Sequence, residues 1–153
     1  MAYPGAVQDI LDAQLIILGP GSLYTSILPN LLVPGIHDAI KTSHALKIYV
    51  CNVATQSGET RQYTAADHLE ALLRHTDGGI VDIMLVNNNI APIEDNGGSV
   101  MPVLCDTNLV GCIPVISGDA VNTGYRIHHD SRKLARLIFK IYDQRKRRMN
   151  KVS

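Results

Sequence analysis

Two polar stretches concentrate groups able to hold a small anionic or sugar-like ligand. The first is Gly19-Pro20-Gly21-Ser22-Leu23-Tyr24-Thr25-Ser26. Its glycines permit positive φ and close backbone approach, and the hydroxyls of Ser22, Thr25 and Ser26 stand ahead of a helix-like stretch whose N-terminal amides favour anions. The pattern suits an anion cradle and equally an ordinary strand-to-helix turn. It lacks the lysine of a P-loop and the third glycine of a dinucleotide fingerprint. Lys41 and Lys47 are the only basic residues between Gly19 and Thr60. A phosphate held here must therefore rely on backbone N–H groups, hydroxyls or a cation, which favours a spread phosphodiester over a clamped terminal phosphate.

The second stretch, Asn52-Val53-Ala54-Thr55-Gln56-Ser57-Gly58-Glu59-Thr60, gathers amides and hydroxyls around one carboxylate. Such groups recognise sugar hydroxyls or a base edge, and Glu59 has the chemistry of a base or metal ligand. A solvated loop reads the same way. Asn87-Asn88-Asn89 is a third polar cluster, in which an asparagine also suits a left-handed turn position. His68 is a general acid/base candidate or a surface or partly packed histidine. His128-His129-Asp130 precedes the last predicted helix, where Asp130 is a natural cap and one ring can face the ligand. Metal binding is not expected, because neighbouring residues on an extended segment point apart and no second ligand set follows.

The elements that must position these groups alternate. Leu15 to Leu18, Leu46 to Val50 and Val81 to Val86 read as strands, the first buried on both faces, and Pro102 to Cys105 and Ile113 to Ile116 are weaker candidates. Gly35 to Lys41 has helical spacing. Thr64 with Asp67 has the form of a capping box ahead of Leu69, Leu72 and Leu73, in a helix ended by Gly78-Gly79. Asp130 or Ser131 caps a final helix with Leu134, Leu137, Ile138 and Ile141 on one face. The alternation implies an α/β fold with a mainly parallel sheet, in which ligands bind beyond the carboxyl ends of the strands. The loops after Leu18, Val50 and Val86 should share that rim.

With 153 residues, 46% of them hydrophobic and 18% charged, the chain is expected to form one globular domain. Its 14 basic and 14 acidic residues cancel, but Arg145, Lys146, Arg147, Arg148 and Lys151 all follow the last acidic residue, Asp143. The body before this tail carries 9 basic against 14 acidic residues, a net −5. An acidic body is no nucleic-acid platform, and the basic tail, 145–153, suits a helix C-terminus. Three cysteines, Cys51, Cys105 and Cys112, give neither a disulfide framework nor a zinc pattern, which fits a reducing cytoplasm. No export signal or membrane span is expected, because Pro29 and Pro34 break the apolar run from Ile27 to Ile36.

The strings AQLIILGPGSLYTSILPNLLVPGIHDAI, KIYVCNVATQSGETRQYTAADHLEAL and VDIMLVNN, in that order, closely resemble the YvcK gluconeogenesis-factor family, a branch of the CofD-like proteins. The resemblance is strong over residues 6 to 90 and weaker through HHDS into the last helix. It implies a Rossmann-like three-layer sandwich and binding of UDP-sugars such as UDP-N-acetylglucosamine. It also implies a regulatory role linking carbon metabolism to cell-wall synthesis. The alternative it carries is a 2-phospho-L-lactate transferase-type enzyme, in which Mg²⁺ would bridge a diphosphate. That branch typically has Asn-Pro after the loop serine; here Leu23-Tyr24 follows Ser22.

By this resemblance the ligand would meet Gly19, Pro20, Gly21, Ser22, Leu23, Thr25 and Ser26 on one wall. Asn52, Thr55, Gln56, Gly58, Glu59 and Thr60 would form the next, with Asn87 and His128 nearby. His128 stands where the family usually has arginine, and a neutral imidazole does not replace a bidentate charged donor. The family's proteins are about twice this length, and their N-terminal half adds a GGGTG-type loop absent here. Residues 1–144 would thus be the C-terminal half of a CofD-like domain with an incomplete sheet. The expected partners are a nucleotide-linked small molecule and either a second copy or a separately encoded N-terminal half.

Overall fold

Every residue of Leu46–Val50 is buried, and around this strand the sheet is built. The computed structural model describes residues 2–93, 100–105, 107 and 109–150. Lys151, the last charge of the basic tail, lies outside them. The strands are β1 (Leu15–Leu18), β2 (Leu46–Val50), β3 (Ile83–Asn87), β4 (Leu109–Val110) and β5 (Ile113–Gly118), in the order β1-β2-β3-β5-β4. The pairs β1–β2, β2–β3 and β3–β5 are parallel, and only the short β4 runs antiparallel, against β5.

The helices are α1 (Pro4–Asp12), α2 (Leu28–Leu31), α3 (Pro34–Thr42), α4 (Ala65–Thr76) and α5 (Ser131–Met149), with one π-helical turn at Leu23–Ile27. Alternation along the strands sends their side chains to two cores. Leu18, Tyr49, Met84 and Val86 pack with Leu28, Leu31, Ile40, Leu69 and Leu72 from α2, α3 and α4. Leu46, Ile48, Val50 and Leu85 face Leu134, Ile138 and Ile141 of α5 on the other side. The result is the three-layer α/β arrangement that the strand-helix alternation implies.

Local chemistry sets the element ends. Thr64 and Asp67 form the expected capping box, and α4 stops at Thr76 with Asp77 left-handed ahead of the positive-φ pair Gly78-Gly79. Asp130, rather than Ser131, caps α5, accepting from the amides of Arg132 and Lys133 at 2.9 and 3.0 Å. Helix α1 has no buried residue and lies against α3, where Gly35 admits it: a Cβ there would come within 2.8 Å of Ala2 Cβ.

Three expectations need correction. Strand β1 is not buried on both faces, because it forms an edge of the sheet and Ile17 is 44% exposed. The third strand begins at Ile83, not Val81: the Asp82 carboxylate takes the Lys47 amide at 2.8 Å in place of a ladder bond. Pro102 to Cys105 is not a strand, and only Pro102 forms an isolated bridge, with Ala54. Lacking an N–H, Pro102 cannot extend a ladder. The segment instead pins the loop after β2, through Met101 O to the Thr55 amide at 2.8 Å and Val53 O to the Val103 amide at 3.0 Å.

Candidate functional site

Parallel strands deliver their following loops to one rim, and here the loops after β1 and β2 meet the connection between β5 and α5 around an open cleft of about 640 Å³. Pro20, Gly21 and Ser22 form one wall, Asn52 and Val53 to Ser57 the floor, and Ile127, His128 and His129 the opposite wall, with Val100 alongside. Among the described residues, none that lines it is lysine, arginine, aspartate or glutamate. Its polarity comes from hydroxyls, amides and imidazoles.

The first wall is held rigidly. The Gly21 amide donates to Asn52 Oδ1 at 3.2 Å, tying the loops after β1 and β2 together. Gly19 has φ +83°, and a Cβ there would stand 3.0 Å from Val50 O, so the residue must be glycine. Ser22 caps the π-helical turn: its Oγ accepts from the Thr25 amide at 3.1 Å, and its carbonyl takes the amides of both Ser26 and Ile27. The same hydroxyl lies 2.6 and 2.8 Å from the two carboxylate oxygens of Glu59 and also contacts Thr25 Oγ1.

The floor is equally constrained. Thr60 is fully buried and its Oγ1 accepts from the Gln56 amide at 3.0 Å; Thr55 Oγ1 accepts from the Met101 amide at 3.0 Å. Asn52 donates to Gln56 Oε1 at 3.3 Å. Asn87 Oδ1 accepts from the Ala120 amide at 3.0 Å, so this side chain joins the carboxyl ends of β3 and β5.

Of the residues expected to touch ligand, Pro20, Gly21, Ser22, Asn52, Thr55, Gln56 and His128 line the cleft. Leu23 lies wholly in the core, Thr60 and Asn87 are buried supports, and Glu59 stands behind Ser22. Gly19 and Ser26 border a different hollow, an apolar groove of about 350 Å³ beside β1 with Ile10, Ile16, Ile17 and Ile36. Thr25 is exposed, and Gly58 has positive φ in open space. Val53, Ala54 and Ser57 of the second polar stretch and His129 also line the cleft, as do Val100 and Ile127, which the sequence did not single out. The backbone pairing of Val121 with His129 is what brings His129 there, and adjacency to His128 was the only signal for it.

Two imidazoles are shifted by burial. His129 is held below its usual pKa by desolvation, opposed by a hydrogen bond with the Cys51 backbone. His68 is completely buried and likewise held below its usual value by desolvation. Its Nδ1 donates to Thr64 O at 2.8 Å, its Nε2 has no partner, and its ring meets Tyr63 edge-on at 5.4 Å. It belongs to the α4 packing and does not line the cleft. Among the described residues no three His, Cys, Asp or Glu converge on one point, and no helix is long and apolar enough to cross a membrane.

Residues 1–106 match the family described as 2-phospho-L-lactate transferase CofD. The chain belongs to the CofD family. Relatives that it matches are named gluconeogenesis factors, the branch that the sequence motifs resemble. The gluconeogenesis factor of Bacillus subtilis is 55% identical over 91 residues, covering 60% of this chain and 29% of the relative. The putative gluconeogenesis factor of Aquifex aeolicus is 39% identical over 145 residues, covering 90% of this chain and 44% of the relative. The crystal structure of a UPF0052-family protein from Bacillus halodurans superposes with a TM-score of 0.80 at 42% identity, covering 90% of this chain and 46% of that one. The CofD-family chain described here therefore spans less than half the length of these relatives. The likeness extends to the Rossmann-like fold.

Proposed function

We propose that this chain is the C-terminal half of a UDP-sugar-binding regulatory protein, with UDP-N-acetylglucosamine as the type of ligand, acting between carbon metabolism and cell-wall synthesis. The observation that carries this reading is the cleft at the carboxyl ends of β1 and β2, roomy and lined, among the described residues, by hydroxyls, amides and imidazoles without a lysine or arginine. Sugar hydroxyls and a diphosphate already carrying two esters need many neutral donors and acceptors rather than a lysine clamp. The gluconeogenesis-factor relatives support the regulatory role.

The sheet supports the reading of a half. From β1 the parallel strands run in one direction only, so the order never reverses within the described sheet. Open α/β sheets bind ligands where the order reverses. A further strand beside β1, from a second copy or a separately encoded N-terminal half, would put that reversal next to Gly19–Ser22 and close the cleft.

The second reading, a transferase of phospho-groups, draws on the Ser22–Glu59 pair and the family description. One carboxylate with hydroxyls from Ser22 and Thr25 is an all-oxygen donor set that fits Mg²⁺, which is commonly held by one or two carboxylates plus substrate phosphates and water. Bound there, the ion would neutralise diphosphate charge. On the regulatory reading no cofactor is needed. Incubation with UDP-N-acetylglucosamine and Mg²⁺ separates the two: intact ligand after prolonged incubation supports the regulator, and release of free nucleotide supports the transferase.

A further inference from the structure

The cleft continues past Ile127 and Val100 into a second hollow of about 550 Å³ bordered by Pro92, Ile93, Thr123 and Tyr125. Tyr125 is 58% exposed, and its ring centroid lies 4.8 Å from that of His128 at an interplanar angle of 41°. His128 thus belongs to the first hollow and backs the aromatic ring that borders the second. An exposed tyrosine on a mobile loop would mean little, but this loop is fastened at several points. Asn122 Oδ1 accepts from the amides of Gly124 and Tyr125 at 2.9 and 3.1 Å. Asn122 N donates to His128 O at 2.9 Å, and His128 N to Tyr125 O at 3.0 Å. Arg126 anchors the loop to the one after β3, donating to Asn89 Oδ1 at 2.8 Å and Ala91 O at 3.2 Å. These bonds leave from Nε and Nη2, so the guanidinium, which also borders this hollow, is tied in place beside the aromatic ring that the turn presents.

Resting on the nucleotide-sugar reading above, the geometry points to Tyr125, backed by His128, as the shelf on which the ligand's nucleobase stacks. The diphosphate then lies across the first hollow toward Gly21 and Ser22. Apolar walls from Pro92, Ile93 and Ile127 suit a planar ring, and the uncharged floor at Asn52 to Ser57 suits what is attached to it. A base held only by an aromatic face is recognised as a ring and not by its edge, so UDP and other nucleoside diphosphates would share the shelf.

The test is ligand-observed NMR, with saturation transfer and titration into the millimolar range, of UDP-N-acetylglucosamine and UDP against the parent chain, Tyr125→Ala and Tyr125→Phe. Circular dichroism would confirm that the folds are equal. Expected are strong saturation of the uracil H5 and H6 protons, binding roughly 5- to 150-fold weaker in Tyr125→Ala, and little change in Tyr125→Phe, which keeps the ring. Parental affinity in Tyr125→Ala, or equal weakening in both variants, would overturn the shelf and leave the nucleotide-sugar reading standing. No response from the parent chain to either nucleotide at millimolar concentrations would overturn both.

Discussion

Ser22 Oγ and the Glu59 carboxylate, 37 residues apart in sequence, meet at 2.6 and 2.8 Å behind the first wall of the cleft. The serine expected to greet a phosphate thus already engages a negative charge. A diphosphate approaching Ser22 either displaces this contact or requires a cation.

That relationship gives opposite expectations for the two functional readings. With divalent ions chelated, Glu59→Gln should tighten UDP-N-acetylglucosamine binding roughly fivefold, because removing one charge near 4 Å from a phosphate relieves about 1 kcal/mol in a water-like medium. Calorimetry of both proteins with and without Mg²⁺ is the check. Binding that needs Mg²⁺ and collapses in Glu59→Gln would favour the transferase.

His68 should make stability depend on pH on the acid side. Its pKa is lowered by burial in the folded chain, so between that value and the ordinary value near 6.5 the unfolded chain binds the extra proton. Stability is therefore fully present above about pH 6.5 and falls as the pH drops toward the folded-state pKa. His129 is shifted the same way for the same reason and adds to the slope. Urea midpoints between pH 7.5 and about 5 should decline in the parent and decline less in His68→Leu. An identical slope in His68→Leu would show that the buried imidazole does not titrate with unfolding.

The edge at β1 should be adhesive. Ile17 is half-exposed there, the strand's outer edge is unpaired among the described residues, and an apolar groove runs beside it. Light scattering of the chain alone should show self-association, and Ile17→Lys should reduce it without lowering the thermal midpoint by more than about 1 kcal/mol equivalent, because the side chain is already partly in water. A monodisperse monomer at high concentration would contradict the proposal that β1 expects a neighbour.

Much of this architecture was legible in the residues themselves. The Thr64–Asp67 capping box, the apolar run of β2 and the Leu134, Ile138, Ile141 face of α5 each carry a local period or cap chemistry that tertiary contacts do not override. Helix α1 was not legible, because it buries nothing and its apolar residues only lean on α3 and the groove. His68 gave no sign of complete burial, since its neighbours Asp67 and Glu70 are polar and only the packing of α4 decides its fate. For the site, residue type and order within each loop were readable. Which of those residues face the cleft was not, as Leu23 in the core and Glu59 behind Ser22 show, because that depends on the π-helical turn that buries Leu23 and on the Ser22–Glu59 contact across the two loops.

The most direct test of the account is titration of the purified chain with UDP-N-acetylglucosamine, beside Gly21→Val and Lys146→Ala. A Cβ at Gly21 would lie 3.5 Å from Ser26 Cβ and 4.0 Å from Ile27 Cγ1, ordinary contacts, so the fold should accept valine, and the bulk added to this wall residue tests whether a ligand approaches its backbone closely. The parent chain should bind measurably but weakly, with at least a tenfold loss in Gly21→Val, about 1.4 kcal/mol or more, and none in Lys146→Ala. Equal binding by the Gly21→Val variant and the parent would contradict it.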